Sequence, residues 1–251
     1  MTKDERLDFL IQRLLPEAEF PTKTEEKWRL FRSLVNVREP APVDDDFLSV
    51  QDKLLRSLIA EKGIINIDDL PPLRGNLYVW RGDITTLKID AIVNAANSGM
   101  LGCFIPCHAC IDNAIHTFAG VQLRHVCADI MKRQGEPEPT GTAKITAAFN
   151  LPSNYILHTV GPIIRGQVKD KDRKLLASCY RSCLGLAEQN DIESIAFCGI
   201  STGEFHFPNE EAAGIAVNAV SSFMETNSRI KKVVFNVFKE QDEIIYKRLL
   251  G

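Results

Sequence analysis

The sequence has no apolar run approaching the roughly 20 residues that a bilayer-spanning helix needs, so no membrane association is expected. Its first ten residues, MTKDERLDFL, are acidic with interrupted leucines and lack the basic and apolar regions of a secretory signal. Positive charge is not in excess either. The chain carries 30 Lys and Arg against 33 Asp and Glu, a net charge of -3, and shows no basic stripe with interleaved aromatics, so it lacks the electrostatic footprint of a nucleic-acid-binding protein. A nucleotide-sized anion stays compatible, because backbone amides at helix starts hold phosphates without a basic surface. Seven cysteines is an odd number, which with no secretory signal argues against a disulfide framework and for the reducing cytoplasm. No internal repeat or low-complexity tract is evident, and 251 residues, 45% hydrophobic, suffice for a sizeable core with an appendage.

The first 70 residues read as a helical extension. Leu7, Leu10, Ile11, Leu14 and Leu15 recur at helical spacing over Asp4 to Leu15 and stop at Pro16. A second helix follows from Thr24, read as its N-cap, with Trp28, Phe31, Leu34 and Val35 on one face. A third, Phe47 to Glu61, follows the acidic break EPAPVDDD and ends at Gly63. Helical spacing leaves open whether these helices pack on the rest, form a lid or meet a partner. The prolines of DDLPPLRG mark a boundary near Leu70 to Gly75, giving an extension over residues 1–70 and a second unit over 71–251.

Beyond that boundary apolar segments alternate with helical ones. Strands are predicted at Leu77 to Trp80, Ala91 to Val93, Ala143 to Phe149, Tyr155 to Val160, Ser194 to Cys198 and Val233 to Phe238. Helices are predicted at Ile111 to Ala119, Val121 to Gln134, Lys171 to Glu188, Asn209 to Met224 and Gln241 to Leu250. Such alternation implies an α/β domain with helices on both faces of a central sheet, whose ligands bind outside the carboxyl ends of the strands.

The densest chemistry lies in NAANSGMLGCFIPCHACIDNAIHTFAG, Asn94 to Gly120. Thiolates and an imidazole on a short loop suit zinc, and three protein ligands with one open position are typical of catalytic sites. The favoured set is Cys103, His108 and Cys110, with Cys107 able to replace either cysteine. The alternative is a trio of small buried hydrophobes beside a surface histidine. Asn94 and Asn97 flank two alanines, where amides can face a ligand. Asp112 begins the following helix and suits an N-terminal cap. Asp83, in Arg81-Gly82-Asp83-Ile84, can accept from an exocyclic amine or stabilise its own turn. Gly199-Ile200-Ser201-Thr202-Gly203 joins a strand to a helix and suits a diphosphate, as do many glycine-bearing turns. His116, His125 and His158 read as structural, and Cys127, Cys179, Cys183 and Cys198 as core.

Five motifs in order, WRGDIT, AIVNAAN, IDNAIHTFAG, YILHTVGPI and GISTGEF, resemble the signature of a macrodomain from about Leu73 onward. Where MacroD-like hydrolases carry a glycine run before the catalytic-loop aspartate, this chain has GCFIPCHAC, which resembles the zinc-dependent macrodomains of bacterial pathogens. The resemblance implies a three-layer α/β/α fold with a mixed sheet behind a helical N-terminal extension. It implies a zinc-dependent hydrolase that removes mono-ADP-ribose from protein, an acidic side chain being preferred. Asp83 and Ile84 would meet adenine; Ser201, Thr202, Gly203, Glu204 and Phe205 would hold the diphosphate and ribose. Asn94 would touch substrate, Asn97 would position the distal ribose, and Asp112 would take part in catalysis. Implied partners are a sirtuin-type ADP-ribosyltransferase and a lipoylated carrier resembling glycine-cleavage protein H. The rival readings are a non-catalytic ADP-ribose reader and a hydrolase of O-acetyl-ADP-ribose.

Overall fold

A computed structural model of the chain describes residues 1–17, 19–226 and 229–251. Three helices come first: α1 (Lys3–Leu14), α2 (Thr24–Val37) and α3 (Asp45–Lys62). Thr2 and Glu5 close a capping box on α1, and Asp44 caps α3 by accepting from the Phe47 amide at 2.9 Å. α3 therefore starts two residues earlier than the apolar pattern suggests. Thr24 is not a cap. It is the first helical residue of α2, and its hydroxyl donates to Asp4 Oδ1 at 2.6 Å, tying α2 to α1. Leu7, Leu10, Ile11, Phe31, Val35, Phe47, Leu54 and Leu55 form one buried cluster, which Val121 joins from beyond the extension. Burying side chains of this size stabilises by about 1.5–3 kcal/mol each.

The rest follows as β1 (Ile65–Asn66), β2 (Leu77–Arg81), β3 (Leu87–Lys88), β4 (Ala91–Ala96), α4 (Ile111–Ala119), α5 (Val121–Gln134), β5 (Ala143–Ala147), β6 (Tyr155–Val160), α6 (Asp170–Gln189), β7 (Ser194–Phe197), α7 (Asn209–Thr226), β8 (Lys232–Val237) and α8 (Glu240–Leu250). The six-stranded sheet runs β2-β8-β7-β4-β6-β5, with every neighbouring pair parallel except β5 against β6. β1 and β3 form a separate parallel pair that the sequence pattern does not predict, two residues being too short for any period. α6, α7 and α8 pack side by side on the sheet, while α4 and α5 form the other helical group and receive α2 and α3. The central strand β4 is apolar and buried along most of its length, as a strand covered on both faces must be. This is the three-layer α/β/α arrangement with a mixed sheet. Because β2, β8, β7, β4 and β6 are all parallel, their carboxyl ends share one edge, and the loops leaving them meet there.

Candidate active site

The loop after β4 is folded by its own polar groups. Asn97 Oδ1 accepts from the Gly99 amide at 3.0 Å while its Nδ2 donates to the Gly102 carbonyl at 3.0 Å. Gly102 has φ +80°, and a Cβ there would lie 2.8 Å from the buried His116 ring, so only glycine fits. The chain then turns through Cys107, in the left-handed region at φ 53°, and enters α4 at Cys110, whose Sγ caps the helix by accepting from the Asn113 amide at 3.4 Å.

This folding gathers Cys103 Sγ, His108 Nδ1 or Nε2, and Cys110 Sγ within 4.8 Å of one another. Cys103 Sγ lies 3.4 Å from His108 Nδ1. Tetrahedral zinc with Zn–S of about 2.3 Å and Zn–N of about 2.0–2.1 Å sets its S and N ligands about 3.6 Å apart, so the spacing fits that ion. Burial, with Cys103 close by, pushes the Cys110 thiol up to about 12, so a cation is what would hold it as a thiolate. His108 Nε2, on the far side of the ring, is 3.6 Å from Glu204 Oε1 of the loop after β7. Cys107 stands outside the group, its thiol donating to the Arg29 carbonyl at 3.4 Å.

Asp112 is buried and does not cap α4; Cys110 does. Asn94 Nδ2 donates to its Oδ1 at 2.8 Å and Asn97 Nδ2 approaches its Oδ2 at 3.4 Å. Burial drives the carboxyl up to about 6 against the pull of the Asn94 donor. Asn94 itself is 0% exposed and lies beneath the cleft, bound to Asp112 and 3.2 Å from His158 Nδ1. His158 Nε2 meets Thr146 Oγ1 at 2.9 Å, so both ring nitrogens are committed. His116, Cys127 and His158 form a second buried group of donor atoms, but with His158 fully engaged this is a packed polar cluster under the site. Both buried histidines are held neutral by burial, His158 down at about 3.

At the neighbouring strand ends, Asp83 caps a short 3-10 turn by accepting from the Thr85 amide and hydroxyl, and its other oxygen accepts from Lys62 Nζ of α3 at 2.7 Å. Burial favours its protonation, but the Lys62 ammonium and the Thr85 donors outweigh that and hold it below the usual carboxylate range. The loop after β7 runs through Ser201 at φ 65°, whose buried Oγ has no hydrogen-bond partner among the described residues. Gly161, after β6, presses so closely on it that a Cβ would lie 2.0 Å from that Oγ. Ile164 N donates to the Phe205 carbonyl at 2.8 Å, joining the two loops, and Phe205 is half-buried. Phe238, read in sequence only as the end of a strand, is 80% exposed just past β8, where Val237 pairs with Arg81 and accepts from the Gly82 amide. A bare ring beside the Asp83 turn offers a stacking face.

The Macro domain family pattern matches residues 93–216. A protein-ADP-ribose hydrolase of Treponema medium is 57% identical with 100% of both chains covered, and one of Staphylococcus aureus strain MSSA476 is 52% identical over 96% of this chain and 94% of its own. Among solved structures, the Trypanosoma brucei macrodomain in complex with ADP-ribose superposes with a TM-score of 0.68 at 30% identity, covering 88% of this chain and 95% of that one. With sequence relatives of that identity and full coverage, and the same fold, the chain belongs to the macro domain family.

Proposed function

We propose that this protein is a protein-ADP-ribose hydrolase that binds ADP-ribose along the shared strand edge and uses zinc on Cys103, His108 and Cys110. The observation that carries the reading is the three-donor group on the loop whose next helix presents Asp112, beside the Ser201–Phe205 loop and the Asp83 turn. Two full-length relatives bearing that activity in their names support it.

In this reading residues 71–251 are the catalytic macrodomain and residues 1–70 its extension. Asp83, with Ile84 beneath it, accepts from the adenine amine through the lone pairs that Lys62 and Thr85 leave free, and Phe238 stacks on the base. The amides of Ser201 to Phe205 and the unpartnered Ser201 hydroxyl receive the diphosphate. Asn97 shapes the wall against the distal ribose. Asp112 accepts a hydrogen bond from the attacking water or a ribose hydroxyl, and Asn94 acts on the carboxylate from below without touching ligand. Zinc, when bound, supplies Lewis acidity to an oxygen at the ribosyl linkage or lowers the pKa of a water. Water adds across the linkage to an acidic side chain, releasing ADP-ribose and restoring the carboxylate. Such an enzyme reverses a transferase of the sirtuin type acting in the cytoplasm on a lipoylated carrier, and neither nucleic acid nor membrane takes part. Among the described residues no helix is long and apolar enough to cross a membrane.

The test is release of ADP-ribose from a protein mono-ADP-ribosylated on glutamate. Cys103→Ser and His108→Ala should abolish turnover while leaving ADP-ribose affinity in place; unchanged turnover in both would sink the reading.

A further inference from the structure

We infer that α2 is the splint of the metal loop: Arg32 and Asn36 are positioning residues that hold Cys103, His108 and Cys110 in a geometry able to take zinc. The inference rests on the zinc reading above and extends it to the N-terminal extension, to which helical spacing assigns no task.

The contacts come from one face of one helix. Arg32 Nη2 donates to the His108 carbonyl at 2.9 Å and to Asn113 Oδ1 at 2.8 Å. Asn113 in turn donates from Nδ2 to the Ile105 carbonyl at 3.0 Å, and its own amide is the one that the Cys110 sulfur caps. One guanidinium thereby fixes the backbone of one candidate ligand and the residue hydrogen-bonded to another. A turn later on α2, the Asn36 amide, 1% exposed, accepts from the Cys107 backbone N–H at 2.9 Å and donates to Thr117 Oγ1 of α4 at 3.0 Å. Cys107 is the left-handed residue that turns the loop back between Cys103 and His108. The loop is thus pinned where it reverses and where it offers its imidazole. The helix end is secured reciprocally, since Arg124 of α5 donates to the carbonyls of Val35 and Arg38 and lies 4.3 Å over the Phe104 ring of the same loop.

Groups that orient metal ligands from behind change affinity by about 10- to 100-fold when removed. The test uses the full chain and three variants: Arg32→Ala, Asn36→Ala, and Leu14→Ala, which loosens the helix cluster from α1. Zinc affinity is measured by competition with a chromophoric chelator, and amide exchange at Cys107 and His108 is measured in zinc-free protein. Arg32→Ala and Asn36→Ala should each weaken zinc binding about tenfold or more and speed loop exchange, with Leu14→Ala near wild type. Zinc affinity and exchange unchanged in both, or falling equally in all three, overturns the inference. If wild type takes up no zinc, the zinc reading fails separately, and faster loop exchange in Asn36→Ala than in Leu14→Ala still upholds the splint while equal exchange overturns it.

Discussion

Replacing His158 by glutamine should make the zinc-free protein less sensitive to acid. The ring is 0% exposed between Asn94 and Thr146, and burial holds its folded pKa at about 3. Asn94 Nδ2 donates to Nδ1, so the proton sits on Nε2 and is given to Thr146; a proton on Nδ1 would set two donors face to face. In the unfolded chain the same imidazole titrates near ~6.5. Between these values the unfolded state binds a proton that the folded state refuses, so stability is full above about pH 6.5 and is lost as the pH falls toward 3. From pH 7 to 5 the loss traceable to His158 is about 2 kcal/mol, from roughly 1.5 pH units below the unfolded pKa at about 1.36 kcal/mol each. His116 acts with the same sign and Asp112, whose folded pKa is raised, with the opposite one; both remain in the variant, where burial, the chief cause of each shift, still acts. Urea unfolding in the presence of a chelator at pH 7 and pH 5 measures the difference. Wild type should lose about 2 kcal/mol more than His158→Gln over that interval. Equal losses would refute the picture of a neutral histidine beneath Asn94 and Asp112.

Gly161→Ala should force the Ser201 loop aside, because its Cβ would lie 2.0 Å from Ser201 Oγ and 2.9 Å from Ile200 Cγ2. Overpacking of this kind costs the fold about 1–3 kcal/mol; the displaced loop should lower ADP-ribose affinity measured by calorimetry, and Gly161→Ala with Ser201→Ala should recover part of it. An affinity within the error of wild type would remove that loop from the binding site. Phe238→Ala should weaken ADP-ribose by about 1–3 kcal/mol, the usual loss of a stacked base, and should affect ribose 5-phosphate little. Equal effects on both ligands would place the ring away from the base.

Most elements of the domain are legible in the sequence because their periods are long and their ends are marked. α4, α5 and β6 have the boundaries that the apolar pattern predicts, and Gly120 and Gly135 stand just past the two helices. Spacing also suffices to bring Cys103, His108 and Cys110 together, since all three lie within eight positions. What spacing cannot convey is direction and long-range contact. Asn94 looks like a ligand-facing amide beside Asn97, yet β4 alternates its side chains and turns Asn94 down toward His158. Thr24 has the residue type of a cap, but the helix begins at it, and Asp4 takes its hydroxyl. The ties from Arg32 and Asn36 to the metal loop span 71 to 81 positions, and no local pattern encodes them. Phe238 is hidden for another reason: an exposed aromatic at a strand end looks like the strand's last apolar residue until the register sets it beside Gly82.

The measurement that tests the central claim most directly is release of ADP-ribose from a protein mono-ADP-ribosylated on an acidic side chain, followed before zinc removal, after it, and after zinc is restored, with metal content determined at each stage. Release that disappears with the metal and returns with it, while the stripped protein still binds ADP-ribose, is the predicted result. Full release by a protein shown to be metal-free would contradict the account.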